Sequence, residues 1–169
     1  MRLIVLGAAA GGGFPQWNCA CANCRRAWAG DPAAPARTQS SLAVSADGVR
    51  WLILNASPDL RRQILMTPAL HPRADAGLRD SPIAAVAVTN GDVDHTGGLI
   101  NLREGWPFSL YAHARLHATL DASPVFQVLN PEVVARRDLP LDVRTPITDA
   151  ADADIGLSVE TFAVPGKVP

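Results

Sequence analysis

Pro82-Ile83-Ala84-Ala85-Val86-Ala87-Val88-Thr89-Asn90-Gly91-Asp92-Val93-Asp94-His95-Thr96-Gly97-Gly98 is the stretch on which the fold turns. Its first half is an unbroken apolar run opened by proline, the pattern of a buried strand over Ile83–Thr89. Its second half is polar. Side chains placed just past the C-terminal end of a sheet strand occupy the usual ligand crevice of an α/β fold. Asn90, Asp92 and Asp94 alternate and His95 follows at once, so one turn can aim several of them at a point. Gly97-Gly98 then allows close backbone approach before a helix predicted at Leu99–Arg103. Taken alone, the same residues also describe an Asp/Gly-rich turn with a helix cap.

Outward from that stretch, Arg2–Leu6 reads as a buried strand leading into a Gly7–Asn18 loop. A short helix is predicted at Cys24–Ala29, closed by Gly30-Asp31-Pro32. Ser41–Ser45 and Arg50–Asn55 flank Asp47-Gly48, the signature of a tight hairpin. Asp59–Leu65 has helical spacing and His71–Ser81 reads as loop. Phe108–Ala112 reads as strand and Ala114–Asp121 as helix. Beyond Asn130 the chain is rich in Pro and Asp, with one strand predicted at Ser158–Val164. Hairpin strands first, then strands alternating with helices, give a mixed sheet covered by helices, in the α/β or α+β classes. Only Pro165-Gly166-Lys167-Val168-Pro169 follows the last strand, which raises the expectation that the chain stops inside a domain.

Composition narrows the function classes. The 169 residues are 48% apolar and 18% charged, too apolar for a disordered chain and enough for one domain. No apolar run reaches the ~18 residues of a spanning helix, so no membrane insertion is expected. A net charge of −1 provides no global field for nucleic acid or anionic lipid. Gly11-Gly12-Gly13 interrupts the apolar N-terminus too early for a secretory signal, so a cytoplasmic location is expected.

All three cysteines fall in Cys19-Ala20-Cys21-Ala22-Asn23-Cys24. Such spacing is poor for a disulfide framework and good for a metal in a reducing compartment. Zinc takes thiolates tetrahedrally, and a closed structural site needs a fourth ligand from elsewhere. The plainer alternative is three buried thiols. His113 and His117 stand four apart, but His113 reads as a strand end, which argues against a metal pair. The glycines after Gly7 lack the Lys-Ser/Thr of a phosphate loop. Trp17, Trp28, Trp51 and Trp106 have no basic face between them and read as packing residues.

Thr89, Asp94, His95 and Gly98 resemble the metallo-β-lactamase superfamily motif T-H-x-H-x-D-H-x-x-G, with Asn90 and Asp92 where its first two histidines stand. Four further stretches are similar to one degenerate branch of that superfamily, the coenzyme pyrroloquinoline quinone (PQQ) biosynthesis protein B family. They are Val5 to Cys19, Arg37 to Ser41, Leu54 to Asp59, and Leu78 to Ile83. The resemblance implies a four-layer αββα sandwich, with residues 1–169 a metallo-β-lactamase-like domain cut short to its N-terminal half and inactive alone. It implies a role in PQQ biosynthesis as an iron- and oxygen-dependent hydroxylase of the tyrosine in a precursor-derived Glu-Tyr peptide. His95, with Asp92 or Asp94, would be the catalytic iron-binding set, supported from behind by Asn55, Asp59 and Asn90. Carboxylate plus imidazole suits iron. Two alternatives accompany it. One is a carrier of PQQ or its precursor towards the periplasm, with Arg25, Arg26, Arg61 and Arg62 available to an anion. The other is a metallo-hydrolase, disfavoured by the two lost histidines. Oligomers are compatible with either.

Overall fold

Six strands lie side by side in the order in which the chain makes them. They are β1 (Arg2–Gly7), β2 (Ser41–Ser45), β3 (Trp51–Leu54), β4 (Ile83–Ala87), β5 (Phe108–Ala112) and β6 (Val134–Asp138). The first three pair antiparallel, and β3 through β6 pair parallel. A separate antiparallel hairpin joins β7 (Arg144–Thr148) to β8 (Asp154–Glu160). Among the described residues there are four α-helices, α1 (Ala22–Trp28), α2 (Leu60–Leu65), α3 (Val93–Thr96) and α4 (Ala114–Ala122). This computed structural model describes residues 1–165. Most of the predicted Pro-Gly tail, Gly166 to Pro169, lies outside the described residues.

Alternation along the strands divides the core in two. Trp51, Ile53, Val86 and Leu110 face Leu60 of α2, Leu99, and Leu116 and Leu120 of α4. On the opposite face Leu52, Ala85, Ala87 and Tyr111 meet Ile147 of β7 and Ile155 of β8. The Tyr111 hydroxyl accepts from the Thr148 backbone N–H at 2.8 Å, pinning the hairpin to the sheet. All five residues of β4 are buried, as its unbroken apolar run requires between two parallel neighbours.

The β2–β3 turn is built by Asp47. Its Oδ1 accepts from the N–H groups of Val49 (2.8 Å) and Arg50 (2.9 Å) while Gly48 takes φ +80°. Those donors, Arg50 first and Val49 next, with the Arg50 guanidinium and Ser45, hold its carboxyl far below the usual range. The 71–81 loop is fastened by Asp80, whose buried carboxylate accepts from Arg73 N (2.8 Å), Nε (3.1 Å) and Nη2 (2.9 Å). The Arg73 side chain, then its backbone N–H, draws the Asp80 pKa down.

Several expectations need correction. β1 is not buried: it is a sheet edge, with Leu3 57% and Val5 59% exposed. The strand expected at Ser158–Val164 runs over Asp154–Glu160 instead, and Phe162 and Val164 lie exposed beyond it. β6 and β7 are strands where none was expected. Arg136 and Arg137 in β6 and Pro146 in β7 mute the strand signal, and both strands are edges, where such residues are tolerated. The helix expected at Leu99–Arg103 is a 3₁₀ segment, Gly97–Leu102. Of the tryptophans, Trp51 is buried in the core, but Trp17 and Trp28 are mostly exposed rather than packed.

Candidate functional site

The candidate site lies where β3 and β4 end. Asn55, the residue after β3, takes a left-handed φ of +62°. Its Oδ1 accepts from both the backbone N–H and the hydroxyl of Thr89, each at 3.0 Å. One side chain thus ties the ends of two parallel strands and sets where the following loop starts. Asn90 turns back on that loop, its Oδ1 accepting from Asp92 N at 2.9 Å. Asp92 occupies the N-cap position of α3 without a side-chain cap bond, and its carbonyl receives His95 N (2.9 Å) and Thr96 N (3.1 Å).

α3 is held against the Ala56–Leu60 segment by a reciprocal pair, Ala56 N to His95 O and Gly98 N to Ala56 O, both 2.7 Å. A Cβ at Gly98 would stand 2.0 Å from Ser57 O, so only glycine lets the segments approach this closely. That packing leaves Asp94 and His95 half-buried beyond the end of β4, with Asp94 Oδ1 3.2 Å from His95 Nδ1.

Asp94 and His95 meet; Asp92 does not complete a three-ligand group with them. Among the described residues the sole trio of Cys, His, Asp or Glu with ligand atoms mutually within 4.8 Å is Cys19, Cys21 and Cys24. Asp92 stands at the cap before the first turn of α3 and the other two within it. Asp59 also serves elsewhere than expected: its Oδ2 accepts from Gln39 N at 3.0 Å, bracing the chain ahead of β2 rather than the Thr89–Asp92 loop.

The three thiols converge as their spacing predicts. Cys19 N donates to Gln16 O at 3.0 Å, and Cys21 Sγ caps α1 by accepting from Cys24 N at 3.5 Å. The Cys24 N–H, then the Cys19 and Cys24 side chains, draw the Cys21 thiol down to about 7. Cys24 moves the opposite way: the Gln16 backbone lowers it, but burial and the two neighbouring thiols together raise it above the usual value. Three sulfurs on one centre fit three corners of a tetrahedral zinc site.

The remaining histidines are engaged. His113 Nδ1 caps α4 through Arg115 N (3.3 Å) and His117 Nε2 meets Arg137 O (2.8 Å), so they form no metal pair. Two of the four arginines are engaged elsewhere. Arg25 turns to Ala20 O (2.6 Å), Arg26 pairs with Asp31 (2.7 Å), and Arg62 joins Arg37 in an open cleft of about 500 Å³ between β1, α1 and α2. The cleft was not evident from sequence, because its walls come from segments far apart along the chain.

A family model described as a beta-lactamase superfamily domain matches residues 50–169. The chain belongs to that superfamily. It is 56% identical over 169 residues to the coenzyme PQQ synthesis protein B of Methylorubrum populi, covering 100% of this chain and 54% of that protein. The protein of the same name from Methylobacterium sp. (strain 4-46) is 57% identical over 170 residues, again with 100% and 54% coverage. The chain therefore spans about half the length of the curated relatives it matches. Among solved structures, zinc-bound PqqB from Methylobacterium extorquens aligns with a TM-score of 0.90 and 53% identity, over 98% of this chain and 56% of that one. A diphosphatase of the PhnP family aligns with a TM-score of 0.66 at 25% identity, over 86% and 52%. The helix layer, six-stranded sheet and apposed hairpin match the metallo-β-lactamase fold of these superfamily members.

Proposed function

We propose that this chain serves PQQ biosynthesis, as part of a metal-dependent hydroxylase acting on the tyrosine of a precursor-derived Glu-Tyr peptide. The observation that carries the reading is identity above one half, along the whole chain, to relatives named coenzyme PQQ synthesis protein B. The Asp94–His95 contact at the end of β4 supports it, because carboxylate and imidazole are donors that iron accepts. Iron, when bound, would supply the oxygen chemistry of the hydroxylation. Asp94 and His95 would hold it, while Asp92 stands too far from them to share it as the structure lies. Asn55 fixes the loop through Thr89, and the half-burial of the pair limits access of bulk water. Zinc fits the Cys19, Cys21 and Cys24 trio, where it would fasten the loop ahead of α1. Three free thiols accord with a reducing, cytoplasmic setting, and no helix among the described residues is long and apolar enough to cross a membrane.

The carrier reading has one observation in its favour, the open cleft holding Arg37 and Arg62. Oxygen uptake by a full-length relative given iron(II), a Glu-Tyr peptide and a two-electron reductant, which takes the second oxygen atom to water, separates the two. Turnover with a product heavier by one oxygen atom, lost when the histidine aligned with His95 becomes alanine, supports the hydroxylase. Binding of the quinone without oxygen uptake supports the carrier.

A further inference from the structure

Three charged side chains line the cleft between β1, α1 and α2: Arg37, Arg62 and Asp59. Arg37 exchanges backbone hydrogen bonds with Phe14 (2.7 and 2.9 Å), which fixes its place on the wall. Both arginines are exposed, and among the described residues neither guanidinium pairs with a carboxylate. Two cations and one carboxylate therefore border about 500 Å³, a volume usual for small-molecule sites. The cleft also opens beside the candidate site. β1 is antiparallel to β2 and β2 to β3, so β1 runs in the same direction as β3 and β4. Gly7 and Ala8 place the cleft at the carboxyl end of β1, the sheet edge that carries Asn55 and Asp94. One loop stands between. Gly12 and Gly13 line the cleft, while a Cβ at Gly11 would lie 3.0 Å from Asp94 Oδ2.

We infer that this cleft holds the charged groups of a Glu-Tyr substrate, with Arg37 and Arg62 taking its two carboxylates and Asp59 facing its N-terminal ammonium. The choice of ligand rests on the hydroxylase reading. At neutral pH the dipeptide carries two negative charges and one positive, the reverse of the cleft. A purely anionic occupant would leave Asp59 opposed by like charge. An extended dipeptide spans about 7 Å, enough for its ring to pass one backbone segment toward Asp94 and His95. The glycines of that segment put no side chain in the way.

Calorimetric titration of the 169-residue chain with L-Glu-L-Tyr, without iron, tests it. Arg37→Gln and Arg62→Gln should each weaken binding about tenfold, the loss of one charge-assisted hydrogen bond. Arg61→Gln, on the same helix but outside the cleft, should bind as wild type. L-Gln-L-Tyr and L-Glu-L-tyrosinamide each lack one carboxylate, so each should be insensitive to one of the two cleft replacements. N-acetyl-Glu-Tyr, without the ammonium, should bind less tightly than the free dipeptide. No binding by the wild-type chain, unchanged affinity in either cleft variant, or an equal loss in Arg61→Gln would overturn the inference. PQQ that loses affinity in the cleft variants while Glu-Tyr does not would give the cleft to the quinone and also overturn it. The titration needs neither iron nor oxygen. A relative that takes up no oxygen would sink the hydroxylase reading and leave the binding result standing. A chain that binds no dipeptide would sink this inference alone.

Discussion

Asn55 combines a left-handed backbone with a side-chain acceptor shared by two donors, and few residue types can do both. Asn55→Ala should cost about 1–3 kcal/mol in urea unfolding, from the strained φ and two lost hydrogen bonds. Asn55→Asp keeps both features and should remain near wild type. Equal losses in the two variants would show that the Thr89 contacts contribute nothing. The cysteines make a second prediction at this scale. Replacing Cys19, Cys21 or Cys24 singly with Ser should each remove about one equivalent of zinc, as a site that binds through all its ligands requires. Metal analysis decides it, and unchanged zinc in all three variants would reduce the trio to buried thiols. The convergence of these sulfurs was legible because their spacing is local, and so was the pairing of adjacent Asp94 and His95. The approach of Gly11 to Asp94, and the choice of Gln39 by Asp59, were not. Both depend on distant segments meeting, which no local pattern records.

Two connecting elements are fastened by carboxylates that are easier to ionise in the fold than outside it, Asp47 in the β2–β3 turn and Asp80 in the 71–81 loop. A native pKa below the unfolded one stabilises fully above the ordinary carboxylate range of about 4, and the gain fades as pH falls through the native value. The urea midpoint should therefore drop on acidification below about pH 4. The double variant Asp47→Asn/Asp80→Asn should be less stable at neutral pH, with a flatter acid limb. Parallel pH profiles for the two proteins would assign the acid sensitivity to other carboxyls. The same two elements show what makes a segment readable. Asp47-Gly48 announces its hairpin because the turn needs that chemistry, and Pro82 marks where β4 begins. β6 and β7 carry arginines and a proline that suit exposed edges, so their sequences resemble loop. The apolar quartet Leu3-Ile4-Val5-Leu6 looks alike in a core and at a rim, and only the pairing in space shows that β1 is a rim.

At the scale of the molecule, the sheet's two faces are unequally covered. Helices close one face, and the β7–β8 hairpin shields the other over β3, β4 and β5. At the β1 end, Leu3 lies opposite Val44 and Val5 opposite Leu42, with both β1 residues more than half exposed. An apolar strip of this kind favours association. Sedimentation velocity should show larger species as concentration rises, and Leu3→Glu/Val5→Glu should reduce them with little change in melting temperature. Association that survives both charges would locate the contact elsewhere. The order of the six strands has a consequence for how the chain is made. Once β1 has found β2, each strand docks beside the one synthesised just before it, so none after β1 has to wait, unpaired and exposed, for a partner still to be translated. The growing rim is always the newest strand, and the sheet can lengthen in step with the ribosome.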